Sequence, residues 1–287
     1  MKITEKFHTK GCVFSIECFP PKQAENFGKM KETLHSMASL APDFISVTYG
    51  AGGSAGGVST VELADYIKNE LGVEPLAHLV CMGADKQSAG ETLAALAKAG
   101  VENVLALRGD ETPLRPRSAD FAHASDLMDF IAAAQPAFGY AGACYPEGHP
   151  ESASPAADVA SLCYKQQAGA DFLVTQLFFD NNQYYRFLNR ARKAGLSLPV
   201  SAGVMPIVRK SQIERTVALS SASLPSEFTK MISRYQNDEA ALYEAGIDYA
   251  VRQLRDLIEG GADGVHLYAM NNFAVAEKVY DGIRDLL

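Results

Sequence analysis

Apolar, β-branched runs bounded by turn residues recur along the whole chain, and their spacing restricts the fold more than any other feature. The runs are Val13–Phe19, Phe44–Tyr49, Pro75–Cys81, Asn103–Arg108, Tyr140–Tyr145, Phe172–Phe179, Pro199–Met205 and Gly264–Met270. The first seven start 27 to 37 residues apart, and one strand-plus-helix unit takes about 30 residues. Most are continuously apolar rather than alternating, as in parallel strands covered on both faces. Helical spacing fills the gaps at Asn26–Leu40, Ser59–Leu71, Ser88–Gly100, Ala124–Ala134, Ala156–Ala168 and Gln183–Gly195. The motifs AKAG, QQAGAD, ARKAG and EGGADG each precede a strand, a helix-ending glycine at an αβ loop. The last interval, Pro199 to Gly264, is 65 residues and holds helical patterns near Ser211–Leu219, Pro225–Tyr235 and Asp238–Gly260. The pattern predicts an α/β chain, a (β/α)8 TIM barrel with extra helices between strands seven and eight. A doubly wound open sheet is the alternative. No linker or low-complexity stretch divides the 287 residues, so a single domain over 1–287 is expected.

Charge and cysteine usage exclude several roles. The net charge is -8 and no Lys/Arg block occurs, which argues against nucleic-acid binding. The longest apolar stretch, Leu93 to Leu107, is broken by Lys98 and Glu102. It falls short of the ~20 residues of a membrane span. The opening MKITEKFHTK has no apolar h-region, so no signal peptide is expected. Cys12, Cys18, Cys81, Cys144 and Cys163 form no C-x-x-C pair. They read as thiols of a reducing, cytoplasmic compartment.

Barrels of this kind place their chemistry at the C-terminal ends of the strands. Those ends carry Glu17, Thr48-Tyr49-Gly50, His78 and Cys81, Arg108-Gly109-Asp110, and Tyr145 through Pro150. They continue with Gln176 and Asp180, Met205-Pro206, and Tyr268 with Asn271-Asn272. Glu17 is the anomaly, a carboxyl group inside VFSIECF. A buried unpaired carboxylate is costly, so it either pairs with an arginine in the barrel or serves as a general acid in an apolar pocket. Asp110 reads as a loop cap or a site residue. His78 reads as a core histidine or a ligand contact, and His149, between prolines, as a ligand contact.

Two further patterns carry less. Gly50 to Ala55 fits a dinucleotide-binding glycine motif with Glu70 about 20 residues on, but it lies in the second of eight similar units. A glycine-rich loop over a barrel mouth explains it equally well. His78, His149, Asp110, Glu147 and Glu17 could gather a metal, yet no pair has helical ligand spacing. No lysine stands within the strands, which disfavours Schiff-base chemistry.

The segments FSIECFPPK, FISVTYGAGG, AHLVC, LALRGD, YPEGHPE, TQLFFD, GVMPI and HLYAMN run in order along the chain. With Asp158 and Lys165 on one helix, they resemble 5,10-methylenetetrahydrofolate reductases of the short bacterial type. The resemblance implies a FAD-binding (β/α)8 barrel, a flavoprotein oxidoreductase of one-carbon metabolism and methionine biosynthesis. It implies ping-pong reduction of 5,10-methylenetetrahydrofolate to 5-methyltetrahydrofolate, with NADH or NADPH as donor. Glu17 would be the acid that protonates N10 as the methylene bridge opens, and Asp110 would act near flavin and pterin. Gln176 and Gln212 would contact substrate. Thr48, Tyr49, Ala51, His78, Leu107, Arg108, Gly109, Asp110, Ala124, Tyr145, His149, Asp158 and Lys165 would contact FAD. No metal is implied. A homo-oligomer is expected, with a partner subunit in some settings, and no regulatory domain after the barrel.

The chain departs from the family pattern at three places. Asn272 stands where many members carry Arg or Lys against the folate tail, so Arg209 or Lys210 is a candidate for the missing charge. His123 stands where an aromatic is common, and Tyr164 precedes Lys165. The other readings of the same strand ends are a metal-dependent hydrolase or lyase and a non-catalytic folate-binding module.

Overall fold

The structure, a computed structural model, describes residues 1–49, 57–113, 115–213, 216 and 222–287. Eight strands form a closed barrel in chain order. They are β1 (Val13–Cys18), β2 (Phe44–Val47), β3 (Glu74–Val80), β4 (Asn103–Leu107), β5 (Gly139–Cys144), β6 (Phe172–Thr175), β7 (Val200–Val204) and β8 (Gly264–Leu267). Every neighbouring pair is parallel, and β8 closes on β1 with Ser15 beside His266. The expected TIM barrel is therefore the observed fold, with helices Ser226–Tyr235 and Glu239–Glu259 in the long interval before β8.

The connecting helices begin where local chemistry favours them. Ser59 and Glu62 form a capping box at Thr60–Asn69, as do Asp85 and Ser88 at Lys86–Lys98. Ser154 caps Pro155–Gln167, with proline in the first turn. Asn181–Lys193 and Asp238-capped Glu239–Glu259 bury one face each. No helix among the described residues is long and apolar enough to cross a membrane.

Three elements differ from the sequence reading. The run expected as a strand to Phe179 leaves the ladder at Thr175. Its apolar tail is buried instead against the extra helices, where Phe179 stacks on Phe228 at 4.4 Å. Two short helices, Thr4–Thr9 and Phe273–Asp281, carried no expectation. The first seals the lower mouth: Ile3 is fully buried and donates its N–H to Asn103 Oδ1 at 2.8 Å, and Phe7 meets Phe172 at 5.0 Å. The Gly50–Ala55 motif, Ala51 and most of the helix expected at Ser211–Leu219 lie outside the described residues. Lys210 to Ile213 are helical.

Pleating sorts each strand by parity. Val13, Phe44, Leu76, Leu105, Ala141 and Phe172 meet in one apolar cluster at the base of the barrel. Two residues further along β1, β2 and β3 come Ser15, Ser46 and His78, with His266 of β8 beside Ser15, all buried. Above them stand Glu17, Gln176 and Tyr268. Space for the Tyr268 ring comes from Gly203, where a Cβ would lie 2.5 Å from the ring and 2.6 Å from Thr175 O. Residues of the opposite parity pack under the helices.

Candidate active site

A cavity of about 880 Å³ opens at the C-terminal end of the barrel. Twelve expected site residues line it: Glu17, His78, Leu107, Arg108, Gly109, Asp110, Ala124, Tyr145, His149, Asp158, Lys165 and Gln176. Thr48, Tyr49, Gln212 and Asn272 are not in its wall. Thr48 O accepts from Thr60 Oγ1, and the Tyr49 ring faces Arg115 at 5.2 Å. Gln212 Oε1 accepts the Val208 N–H at 2.9 Å, and Asn272 caps the last helix through Val275 N–H. Arg209 and Lys210 are exposed beyond β7.

Glu17 stands over a polar floor. Its Oε2 lies 3.8 Å from Nε2 of both His78 and His266, and its side chain is 20% exposed. The sequence offered an arginine or an apolar pocket as its setting. The barrel supplies two imidazoles, because inward parity on β3 and β8 brings both histidines beneath it. Ser46 Oγ meets His78 Nε2 at 2.6 Å, and Ser15 Oγ meets His266 Nδ1 at 2.7 Å. Tyr268, half-buried beside them, donates its hydroxyl to Thr175 O at 2.6 Å. Burial and the Glu17 charge both raise the phenol.

Burial pulls the His78 imidazole down from 6.5 to about 4, against the opposing pull of Glu17. The folded value lies below the ordinary one, so the unfolded chain takes up the proton first. The stability from neutral His78 is complete above about pH 6.5 and is lost as pH falls through about 4. Its size is on the order of 3 kcal/mol. Thermal melts from pH 7 to 4 should show a steeper fall in Tm for the parent than for His78→Gln. Parallel curves would exclude this contribution.

One wall is cationic. Arg108 forks onto Glu151, with Nη1–Oε2 at 2.5 Å and Nη2–Oε1 at 2.8 Å. This pairing holds the Glu151 carboxyl down at about 2. The Arg108 Nε is buried and has no partner among the described residues. Lys165 reaches the cavity from the helix Pro155–Gln167. Its stem passes Gly142, where a Cβ would lie 3.0 Å from Cδ, and its ammonium donates to Ala143 O at 2.5 Å. Burial lowers the Lys165 ammonium, and Asp158 draws it back up. Asp158 accepts the His149 N–H at 3.3 Å, and burial raises its carboxyl. Tyr145 packs edge-on to His149 at 4.7 Å, its phenol pushed up to about 12 by burial and then by Asp110. Gly109, at φ 78, makes the turn that carries exposed Asp110 to the rim.

Among the described residues no three His, Cys, Asp or Glu side chains converge as metal ligands would. Glu147, weighed for such a set, accepts the Ser223 N–H instead. The sequence reading passed over His266, Ser15, Ser46 and Glu151. Parity could have found the first three: Ser15 lies two before Glu17, and His266 two before Tyr268. Nothing local marks Glu151, whose partner is 43 residues away.

Comparisons with known proteins agree with this architecture. A family model described as Methylenetetrahydrofolate reductase matches residues 2–284. A protein of Oryza sativa subsp. japonica named probable methylenetetrahydrofolate reductase (NADH) is 33% identical over 289 residues, covering 94% of this chain and 48% of that protein. The 5,10-methylenetetrahydrofolate reductase of Pectobacterium carotovorum subsp. carotovorum is 32% identical over 261 residues, covering 90% of this chain and 85% of the other. The chain thus spans about half the length of the plant relative and most of the bacterial one. A solved Clostridium thermocellum protein, described as binding two copies of 5-methyl-5,6,7,8-tetrahydrofolic acid, superposes with TM-score 0.68. The two share 13% identity, and the match covers 99% of this chain and 98% of that one. This last likeness is one of fold.

Proposed function

The chain belongs to the methylenetetrahydrofolate reductase family, and from that premise we propose that it binds FAD and reduces 5,10-methylenetetrahydrofolate to 5-methyltetrahydrofolate with a reduced nicotinamide as donor. The observation that carries the reading is the meeting of Glu17, Gln176 and Asp110 with Arg108 and Lys165 on one cavity. Relatives named for NADH support NADH as the donor. The cavity suits a dinucleotide. Its volume is within the range of cofactor sites, about 300–1,000 Å³. Two cations meet on one wall, and the buried Arg108 Nε lacks a partner among the described residues.

In this reading Arg108 and Lys165 hold the pyrophosphate, and Asp158 accepts from ribose hydroxyls. Thr48, Tyr49, Ala51, His78, Leu107, Gly109, Ala124, Tyr145 and His149 complete the cofactor contacts. The chemistry FAD supplies when bound is passage of a hydride from the nicotinamide to the folate one-carbon unit. The chain's own task is to ready that unit. Glu17 protonates the departing N10 of the folate, which opens the methylene bridge to a 5-iminium cation. Asp110 places negative charge near that cation and bonds the pterin. Gln176 orients pterin and nicotinamide in turn, with Gln212 and Asn272 as further folate contacts. The protein would act as a homo-oligomer in the cytoplasm, with a partner subunit in some settings.

Product analysis tests the assignment. Incubation with NADH and 5,10-methylenetetrahydrofolate should consume both and yield 5-methyltetrahydrofolate by chromatography. Heat should release a yellow compound that co-elutes with FAD. A colourless protein that leaves both reactants intact would overturn the reading.

A further inference from the structure

The polar floor beneath Glu17 contains more than the proposed reaction has used. Ser15 and His266 are buried in the barrel interior, above its apolar base. Ser15 Oγ makes two contacts, to Val265 O at 3.2 Å and to His266 Nδ1 at 2.7 Å. A hydroxyl has one proton to give, and a carbonyl oxygen only accepts. Both contacts are hydrogen bonds in one arrangement: Ser15 donates to Val265 O and accepts from an Nδ1–H of His266. A neutral His266 then has a bare lone pair on Nε2, the atom 3.8 Å from Glu17 Oε2.

The other groups facing Glu17 do not offer the same thing. Nε2 of His78 is already met by Ser46 at 2.6 Å. The Tyr268 hydroxyl is directed to Thr175 O. Cys18, next in sequence, is a fully buried thiol on the opposite face of β1, its ionisation opposed by burial.

We infer that Ser15 locks His266 in its Nδ1–H tautomer, so that the Nε2 lone pair accepts a hydrogen bond from the protonated Glu17 carboxyl and makes His266 a positioning residue for that acid. A lone pair accepts a hydrogen bond from a protonated carboxyl and offers none to a carboxylate. The separation of 3.8 Å exceeds a direct bond. A rotation of the carboxyl, or one bridging water, closes it as the site fills. During turnover the proton leaves Glu17 for the substrate nitrogen, and His266 stays neutral throughout. The device matches a partner that fixes a histidine tautomer from its far side. It rests on the proposed acid role of Glu17.

The tautomer can be read on the unmutated holoenzyme. Protein labelled with ¹⁵N at histidine should show, for His266, a protonated Nδ1 and a pyridine-like Nε2, the signal being assigned by its loss in His266→Asn. An Nε2–H tautomer or an imidazolium at neutral pH would overturn the inference. Ser15→Ala should release the lock and slow reoxidation by 5,10-methylenetetrahydrofolate about 10-fold, while reduction by NADH keeps its rate. Ser15→Thr, which keeps the hydroxyl, should restore both the signature and the rate. Equal slowing of both half-reactions in Ser15→Ala would mean a structural role alone and would also overturn it. Undiminished folate turnover in Glu17→Gln would remove the acid reading beneath it, whereas a wrong tautomer with an impaired Glu17→Gln would remove this inference only.

Discussion

Glu17→Gln should keep reduction of the bound flavin by NADH and lose its reoxidation by 5,10-methylenetetrahydrofolate by about 10²–10⁴-fold. The separation follows from where a proton is needed. Hydride transfer from the nicotinamide requires no acid at the folate nitrogen, while opening of the methylene bridge does. Substitution by glutamine preserves size and keeps polar atoms facing His78 and His266, so the barrel should fold unchanged. No other acid in the cavity wall can take over. Glu151 is bound by the Arg108 fork, Asp158 accepts from the His149 backbone, and Asp110 stands exposed at the rim. The expected loss equals about 3–5 kcal/mol of transition-state stabilisation. Stopped-flow absorbance of each half-reaction reads it directly. Equal losses in both would mean that Glu17 supports the site without supplying the proton.

Lys165→Met should weaken FAD binding by about 30- to several-thousand-fold, the equivalent of about 2–5 kcal/mol for removing one partner of a buried charge pair. The ammonium of Lys165 is carried past Gly142 to Ala143 O, and its task in the proposed site is the cofactor pyrophosphate. Methionine keeps most of the apolar stem, so the loss should fall on the phosphates rather than on packing. Titration of apoprotein with FAD, followed by quenching of flavin fluorescence, measures it. Riboflavin has no phosphates and should bind parent and variant alike. An equal loss for riboflavin, or no loss for FAD, would place the pyrophosphate elsewhere.

The barrel was legible because eight parallel strands covered on both faces leave eight apolar runs, and a βα unit has a nearly constant length. The edges were less legible. The run through Leu177 and Phe179 continues past the end of β6 because its loop is buried against the extra helices, and hydrophobicity alone does not separate a buried loop from a strand. Helix Thr4–Thr9 is too short to show a period. Its purpose, closing the lower mouth with Ile3, depends on residues about a hundred positions away.

The site divides in the same way. Residues next to strand ends were found, since the fold itself delivers them to one cavity. His78, one partner of Glu17, was among them, but His266 was not, because it lies on the strand that closes the barrel against β1. The adjacency of His266 to Glu17 exists only once the barrel is closed. Asn272, a proposed folate contact, also caps the last helix through its side-chain oxygen. That cap became visible only with the unanticipated last helix. Arg108, expected as a FAD contact, also forks onto Glu151.

The central claim is that one cavity serves two substrates in turn, and anaerobic stopped-flow spectroscopy of the holoenzyme tests it most directly. NADH alone should bleach the flavin completely. Subsequent 5,10-methylenetetrahydrofolate, with no oxygen present, should return the colour and release one 5-methyltetrahydrofolate per flavin. Bleaching that 5,10-methylenetetrahydrofolate fails to reverse, or a holoprotein that NADH leaves coloured, would contradict the account.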